Sequence, residues 1–175
     1  VLASLEGQTL NNFEVILVDN GSTDGSCSFV TANYPWVHLI ELSENFGFCG
    51  AVNAGIRAAK APYVLLLNND TEVKEDFVEE MLAAIRRHKN AFSCGARMVQ
   101  YHDRDKLDDV GNYYCALGWS FARGRGKDIH AYETEDRIFS ACAGAAIYRK
   151  KILEKIGYFD EEHFAYLEDT DIGYR

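Results

Sequence analysis

Apolar blocks alternate along this chain with amphipathic or small-residue blocks, and this alternation limits the fold more than any other feature. Three of the apolar blocks are Phe13–Asp19, Trp36–Leu42 and Ala61–Asp70. The run Val64–Leu67 is continuously apolar, which is typical of a parallel strand covered on both faces. The pattern predicts an α/β fold, in which helices cover both sides of an open, mostly parallel sheet in a three-layer α/β/α arrangement with right-handed crossovers.

The segments between the apolar blocks have helical character. Gly25–Pro35 and Gly47–Lys60 are predicted helices, and Lys74–Lys89 is the clearest one. It carries one apolar stripe, with acids in its first turns and basic residues at its end, as the helix dipole favours. The stripe consists of Phe77, Val78, Met81, Leu82 and Ile85.

The second half of the chain is less regular. Ala91–Tyr101 and Ile138–Lys150 are predicted strands, whereas residues 102–136 lose the periodicity and are predicted to be loop or a small excursion. A short helix, a loop and the start of another helix follow. The chain begins as if within a helix and stops at Arg175 in a barely started amphipathic turn, so we expect 1–175 to be a single domain truncated at both ends.

Charge and composition exclude several classes of function. The net charge is −9 without any basic run, which argues against a nucleic-acid partner. No apolar run reaches the roughly 20 residues of a membrane span, so we expect no transmembrane segment. The five cysteines are widely spaced and form no CxxC pair, which favours free thiols over a disulfide framework or a zinc site.

Dense polar clusters follow two of the predicted strands. The first is "DNGSTDG" (Asp19–Gly25), and the second is Asn68–Asp70. In open α/β sheets ligands bind at the carboxyl ends of the strands, but a loop that merely caps the next helix explains Asp19–Gly25 equally well. An EF-hand is excluded because its twelfth position would be Thr31 in place of Glu. Neither a dinucleotide GxGxxG nor a P-loop is present, so phosphate binding would need a metal.

A third acidic cluster lies near the end of the chain. Glu168, Asp169 and Asp171 stand within four positions, just before or within a predicted helix. Acids in a first helical turn are stabilised by the dipole, so this cluster alone favours capping over catalysis.

Five segments in order resemble one known family over nearly the whole chain. They are "VDNGSTDGS", "ENFGFCGAVNAGI", "LLLNNDTEV", "CAGAAIYRK" and "YFDEEHFAYLEDTDIGYR". Together they are similar to the family 2 glycosyltransferases of the GT-A fold, and most of all to the rhamnosyltransferase-like branch that builds bacterial surface polysaccharides. The resemblance also implies a preceding strand that contacts the nucleotide and is absent from this sequence.

The resemblance implies a role for each matching residue. The metal motif of the family, Asp-x-Asp, is here Asn68-Asn69-Asp70, so Asp70 is the single carboxylate expected to bind Mg²⁺ or Mn²⁺. Asp169 is the expected catalytic base, with Glu168 beside it, and the small residues Gly144 and Ala145 lie near the sugar or acceptor. The residues expected to border the nucleotide are Asp19, Asn20, Ser22, Asn45, Gly47, Asn53 and Asn68.

The implied reaction is the inverting transfer of a sugar from a UDP- or dTDP-sugar to a hydroxyl group. The acceptor would be a saccharide or a lipid-linked saccharide, and the protein would work in the cytoplasm or peripherally at the inner face of the membrane. Two alternatives stay open. A sugar nucleotidyltransferase would require a Gly-rich, Lys-containing loop upstream, and a non-catalytic nucleotide-sugar-binding module would keep the fold without the reaction.

Overall fold

The computed structural model describes residues 1–175 as helices packed on short strands. The helices are α1 (Leu2–Glu6), α2 (Ser26–Asn33), α3 (Gly47–Ala58), α4 (Phe77–Arg87), α5 (Lys150–Ile156) and α6 (Glu168–Tyr174), with a 3₁₀ turn at Glu161–His163. The strands are β1 (Ile16–Asp19), β2 (His38–Glu41), β3 (Tyr63–Leu67), β4 (Ser93–Gly95), β5 (Met98–Val99), β6 (Leu107–Asp109), β7 (Asn112–Tyr114), β8 (Ser120–Ala122) and β9 (Ala145–Arg149).

The centre of the fold is a three-stranded sheet in the order β3-β9-β4. The side chains of its strands point alternately into two hydrophobic cores. From β9, Ala146 and Tyr148 join the larger core, whereas Ile147 joins the smaller one. The larger core contains residues of α3, α5 and α6, and the smaller contains Met81 and Ile85 of α4. Because successive side chains of a strand point to opposite faces, helices cover both sides of this sheet. The α/β class and the three layers are confirmed.

The strand directions differ from the prediction of a mostly parallel sheet. Strands β1 and β2 are parallel, but β9 is antiparallel to both β3 and β4. A parallel return requires a long crossover, usually helical. The chain between β4 and β9 contains short strands and no helix, so nothing in it supplies such a crossover and β9 enters the sheet in the opposite direction.

Residues 91–136 contain more strands than the sequence predicted. The strand expected at Ala91–Tyr101 is two short strands, β4 and β5, which belong to different sheets. Residues 102–136, expected to be loop, contain β6 paired with β5 and the hairpin of β7 and β8. These strands have only two or three residues each, and such short runs produce no detectable period in the sequence.

The helices are all short compared with the bilayer. No helix has both the length and the apolar character needed to cross a membrane.

Candidate active site

Asp19 ends β1 and closes the loop that follows it. The residue is 8% exposed, and its Oδ2 accepts a hydrogen bond from the backbone N–H of Ser22 at 2.9 Å. Hydrogen bonding by Ser22 lowers the pKa of the Asp19 carboxyl below its ordinary value, against the opposing effect of burial. The carboxylate is therefore ionised at neutral pH, at the strand end where the sequence predicts a nucleotide contact.

Asn20 joins the end of β1 to the turn that starts α3. Its Nδ2 donates to Asn45 Oδ1 at 2.8 Å and to the Gly47 carbonyl at 3.0 Å, and its Oδ1 accepts from the Phe46 N–H at 2.9 Å. The structure thus brings together the predicted residues Asn20, Asn45 and Gly47. The amide of Asn20 is used to hold this turn, so it shapes the loop.

Gly47 contacts the loop that precedes α6. A Cβ atom at this position would lie 2.5 Å from the Phe164 carbonyl oxygen, and the φ of Gly47 is +72°. The same oxygen accepts a hydrogen bond from the Phe48 N–H at 2.7 Å. The absence of a side chain at Gly47 therefore lets the 164–167 loop approach the turn bound by Asn20.

Asn53 is buried in α3 and bonded within the protein. It is 1% exposed, its Nδ2 donates to the Phe159 carbonyl and to Glu161 Oε1, and its Oδ1 accepts from the Phe159 N–H. Both ends of the amide are engaged inside the protein. Asn53 therefore anchors the 159–161 segment on α3.

The end of β3 meets the start of β9 at the second polar cluster. The Asn68 N–H donates to the Gly144 carbonyl at 2.9 Å, and a Cβ on Gly144 would lie 3.3 Å from Asn68 Nδ2. Ala145 is 4% exposed and pairs with Leu67. Because Gly144 and Ala145 are small, the Asn68 side chain can lie over the end of β3.

Asp70 is an isolated acid on the surface. Its carboxylate is exposed and makes no hydrogen bond or ion pair with the protein. The protein holds no group of three or more His, Cys, Asp or Glu side chains arranged to bind a metal ion. A cation bound here would need most of its oxygen ligands from a partner molecule.

Asp169 lies in the first turn of α6 and is held by a residue from the β7 strand. Asn112 Nδ2 donates to Asp169 Oδ2 at 3.0 Å and to Ser140 Oγ at 3.1 Å. Asn112 is itself 7% exposed, and its backbone pairs with Ser140. One carboxylate oxygen of Asp169 is therefore fixed, while the half-buried side chain keeps its other oxygen, Oδ1, with only a long 3.4 Å contact to the Thr170 hydroxyl.

Glu168 differs from its neighbour. It is 7% exposed, its Oε2 has no hydrogen-bond partner, and burial raises the pKa of its carboxyl above the ordinary value. A buried carboxyl of this kind is a weaker candidate than Asp169 for contact with a substrate.

The loop before α6 holds an unusual backbone. Phe164, Tyr166 and Leu167 all have positive φ, at 57°, 72° and 65°. Non-glycine residues in this region cost free energy and cluster at functional sites. No feature of the sequence indicated this strain, and it marks the segment that presents Glu168 and Asp169.

Two contact paths connect the predicted residues. One runs from Asn20 through Gly47 to Phe164 and so to the start of α6. The other runs from Asn68 over Gly144, whose Cβ position is 3.6 Å from Cys142 Sγ. Burial raises the pKa of the Cys142 thiol to about 11, and the charges of Asp109 and Asp169 add to the effect. The first path therefore reaches the loop before Asp169, and the second reaches Cys142, two residues beyond Ser140, which shares the Asn112 amide with Asp169.

An open groove lies beside the candidate site. It encloses about 1990 Å³ and is lined by α4, residues 93–102 and residues 132–140, including Asp70 but neither Asp19 nor Asp169. Ligand pockets usually measure about 300–1,000 Å³. This groove shares Asp70, Ser140 and Ala145 with the candidate site.

Asp109 and Asn112 are site residues that the sequence analysis missed, because residues 102–136 were assigned to loop. Asp109 is 6% exposed and its Oδ1 accepts from the Gly111 N–H at 2.6 Å. Burial, with the charges of Asp169 and Asp108, raises the pKa of Asp109 to about 6. The pair Asp108-Asp109 before Gly111 was the one available indication of a structured turn.

The raised pKa of Asp109 predicts a stability change with pH. The folded state holds the proton more tightly than the unfolded state, so stability is lost as pH rises from about 4 to about 6. The Asp109→Asn variant removes this loss. Its free energy of unfolding relative to the wild type should increase by up to about 3 kcal/mol between about pH 4 and pH 7 in urea titrations. The matched control is the exposed Asp105→Asn variant, and an Asp109→Asn change with pH no larger than that of the control would contradict the prediction.

The comparison with known proteins identifies the family of this chain. The model of the family described as glycosyl transferase family 2 matches residues 1–157. The N-acetylglucosaminyl-diphospho-decaprenol L-rhamnosyltransferase of Mycobacterium tuberculosis is 27% identical over 196 aligned residues, which cover 99% of this chain and 64% of that protein. The chain thus spans less than two thirds of the length of this relative.

Two solved structures share the fold. The Staphylococcus aureus protein TarS 1-349 in complex with UDP matches with a TM-score of 0.69 and 22% identity, over 99% of this chain and 48% of its own. The Pyrobaculum calidifontis mannosyltransferase PcManGT, in complex with GDP-Man and Mn²⁺, matches with a TM-score of 0.68 and 17% identity, over 98% of this chain and 45% of its own. The GT-A fold and the likeness to rhamnosyltransferases that the sequence predicted are confirmed, and the chain belongs to glycosyl transferase family 2.

Proposed function

We propose that this protein transfers a sugar from a nucleotide-diphosphate donor to a hydroxyl group of an acceptor, with inversion at the anomeric carbon. The observation that carries the proposal is the match of the family model to residues 1–157. The position of Asp169, half-buried and bonded to Asn112, supports it. UDP- or dTDP-sugars are the donors we propose, and bacterial surface polysaccharide is the proposed product class.

Asp169 is the proposed general base. A sugar hydroxyl is a weak nucleophile at neutral pH, and a carboxylate that accepts its proton during attack accelerates such reactions by about 10²- to 10⁴-fold. Asn112 holds Asp169 Oδ2 at 3.0 Å, which leaves Oδ1 to accept the proton. Attack from the face opposite the leaving group needs no covalent nucleophile.

The donor would lie along the ends of β1 and β3. We propose that Asp19, which is ionised at the end of β1, binds the nucleobase of the donor. The turn that contains Asn20, Asn45 and Gly47 borders the nucleotide. The side chain of Asn68 lies over Gly144 at the end of β3. Asn53 takes no part in this proposal, since its amide is engaged internally.

A divalent cation at Asp70 would need further oxygen ligands from the phosphates of the donor. Asp70 offers one free carboxylate, and no second acid stands beside it in a metal-binding cluster. Mg²⁺ commonly binds through one or two carboxylates together with substrate phosphates, so this arrangement suits Mg²⁺ or Mn²⁺ on a diphosphate. When bound there, the cation would stabilise the negative charge of the leaving nucleoside diphosphate.

The Asp70→Ala variant tests this assignment. We expect Mn²⁺ to strengthen UDP binding to the wild-type protein by at least about tenfold, a gain near 1.4 kcal/mol, and to have no effect on the variant. Calorimetric titration of UDP with and without Mn²⁺ measures the difference. The matched control is Glu75→Ala, which removes an exposed acid five positions along the chain. A variant that keeps the full Mn²⁺ effect would exclude Asp70 as the ligand.

The acceptor and the location are proposed from the relatives. One relative carries an N-acetylglucosaminyl-diphospho-decaprenol acceptor in its name, so a saccharide, free or lipid-linked, is the acceptor that we propose. The reaction would then take place in the cytoplasm or at the inner face of the membrane.

A further inference from the structure

We propose that the rings of Tyr114, Phe139 and Tyr174, here called the ring cluster, form a subsite that binds a sugar ring of the acceptor beside Asp169. The inference rests on the proposed function, because it takes Asp169 as the base. It adds the surface that binds the acceptor saccharide.

The β7–β8 hairpin directs one of its faces towards α6. Alternate residues of a strand share a face, so Tyr114 lies on the same side of β7 as Asn112, which donates to Asp169. Ser120 is paired with Tyr114 across the hairpin, and its hydroxyl is 2.8 Å from that of Thr170 on α6. Two hydrogen bonds from one hairpin face therefore fix its position against the helix that carries the proposed base.

The ring cluster lies on this same face. Tyr174 is one helical turn beyond Thr170, and its ring centroid is 6.1 Å from that of Tyr114, at an interplanar angle of 61°. On the other side Tyr114 stacks on Phe139, with centroids 4.8 Å apart and planes 20° from parallel. Since a strand rises about 3.3 Å per residue, Tyr114 begins about 7 Å along β7 from Asn112.

Much of the surface of the ring cluster remains exposed to solvent. Tyr114 and Phe139 are 39% and 36% exposed. The hydroxyl groups of both tyrosines make no hydrogen bond within the protein. Exposed apolar patches of this kind mark binding sites, and tyrosine suits ligands that are apolar on one side and polar on the other.

A sugar ring has the complementary chemistry. Its axial C–H groups form an apolar face that packs on an aromatic ring, and its hydroxyl groups lie around the edge, where the two free tyrosine hydroxyls can bond them. A sugar ring is about as wide as the distance from Tyr114 to Asn112. A saccharide on the ring cluster would therefore bring a hydroxyl group to Asp169.

The opposite face of the hairpin supplies a matched control. Phe121 is paired with Tyr113, is 50% exposed and contacts Trp119 edge to face. It lies in the same hairpin as Tyr114 but on the face that points away from α6. Removing its ring changes the exposed aromatic area without touching the proposed subsite.

The test measures saccharide binding directly by saturation-transfer NMR. The probes are the methyl glycosides of glucose, N-acetylglucosamine and rhamnose, added to the protein in the presence of UDP and Mn²⁺. We expect at least one glycoside to bind the wild type with a Kd in the millimolar range, and its Kd to rise roughly tenfold in Tyr114→Ala and in Tyr174→Ala. Phe121→Ala and the ring-preserving Tyr114→Phe should stay within about threefold of the wild type. Circular dichroism identifies any variant that does not fold. If Tyr114→Ala does not fold, Tyr174→Ala and Tyr114→Phe decide the result.

The outcomes separate this inference from the proposed function. Equal glycoside affinity in the wild type, Tyr114→Ala and Tyr174→Ala would overturn the subsite, as would the absence of binding by all three glycosides. Phosphatidylglycerol vesicles that bind the wild type but not Tyr114→Ala, without any effect on glycosides, would overturn it in favour of a lipid surface. UDP titrations of the same samples report on the donor site, so a protein that binds glycosides at the ring cluster but not UDP would contradict the proposed function and leave the subsite intact.

Discussion

Replacing Asp169 by Asn is expected to lower the rate of sugar transfer by about 10²- to 10⁴-fold while donor binding is retained. The amide has the shape of the carboxyl group, and its oxygen can still accept the hydrogen bond that Asn112 donates to Asp169 Oδ2 at 3.0 Å. The hairpin and α6 therefore keep their positions. The amide cannot take a proton from the acceptor, so the loss falls on the chemical step.

A radiolabelled-sugar assay measures the transfer, and calorimetric titration of UDP measures donor binding. The control is Glu162→Gln, which makes the same chemical change at an exposed acid in the preceding 3₁₀ turn. It should leave both quantities within about twofold of the wild type. Transfer by Asp169→Asn at the rate of this control would remove Asp169 from the reaction, whereas a parallel loss of UDP binding would point to a structural role.

Replacing Gly47 by Ala is expected to lower the free energy of unfolding by about 2–5 kcal/mol. The new Cβ would lie 2.5 Å from the Phe164 carbonyl oxygen and 2.7 Å from the Phe164 ring, at a backbone φ of +72°. Relief of the overlap requires the 164–167 loop to move away from α3, and this movement breaks the hydrogen bond from the Phe48 N–H. Urea unfolding followed by circular dichroism measures the loss.

Gly126→Ala separates the overlap from the backbone strain. Gly126 has almost the same φ, +73°, but its Cβ position has no atom within 4 Å. It should therefore lose only the cost of a left-handed alanine, about 1–2 kcal/mol. Equal losses in the two variants would mean that Phe164 gives way without cost, and that the loop before α6 is not held by Gly47.

The parts of the fold that could be predicted are those with long, regular patterns. The stripe of α4 and the apolar run of β3 each extend over enough residues to give a clear period, and both elements are present. The antiparallel direction of β9 was not predicted, because it depends on the connection after β4 and not on the residues of β9. The short strands β5 to β8 were missed because each is stabilised by its partner, which lies elsewhere in the chain.

The same limit applies to the candidate site. Asp19, Asn68 and Asp70 could be proposed because each follows a recognisable strand, and Asp169 because its segment resembles a family motif. Asn112 could not be predicted, since its contact with Asp169 spans 57 positions and arises from a hairpin whose two strands have three residues each. The internal role of Asn53 was equally hidden, because it depends on where Phe159 and Glu161 are placed by the fold.

Strand β9 has a consequence for how this protein can change over evolution. Ala146 and Tyr148 enter one core, Ile147 enters the other, and Gly144 stands at the site immediately before the strand. A slip of one residue would exchange the two sets between the layers and would also carry the wrong residue under Asn68. An insertion at this point would thus damage folding and ligand contact together, so loops elsewhere, and not this strand, are where descendants of the protein can vary in length.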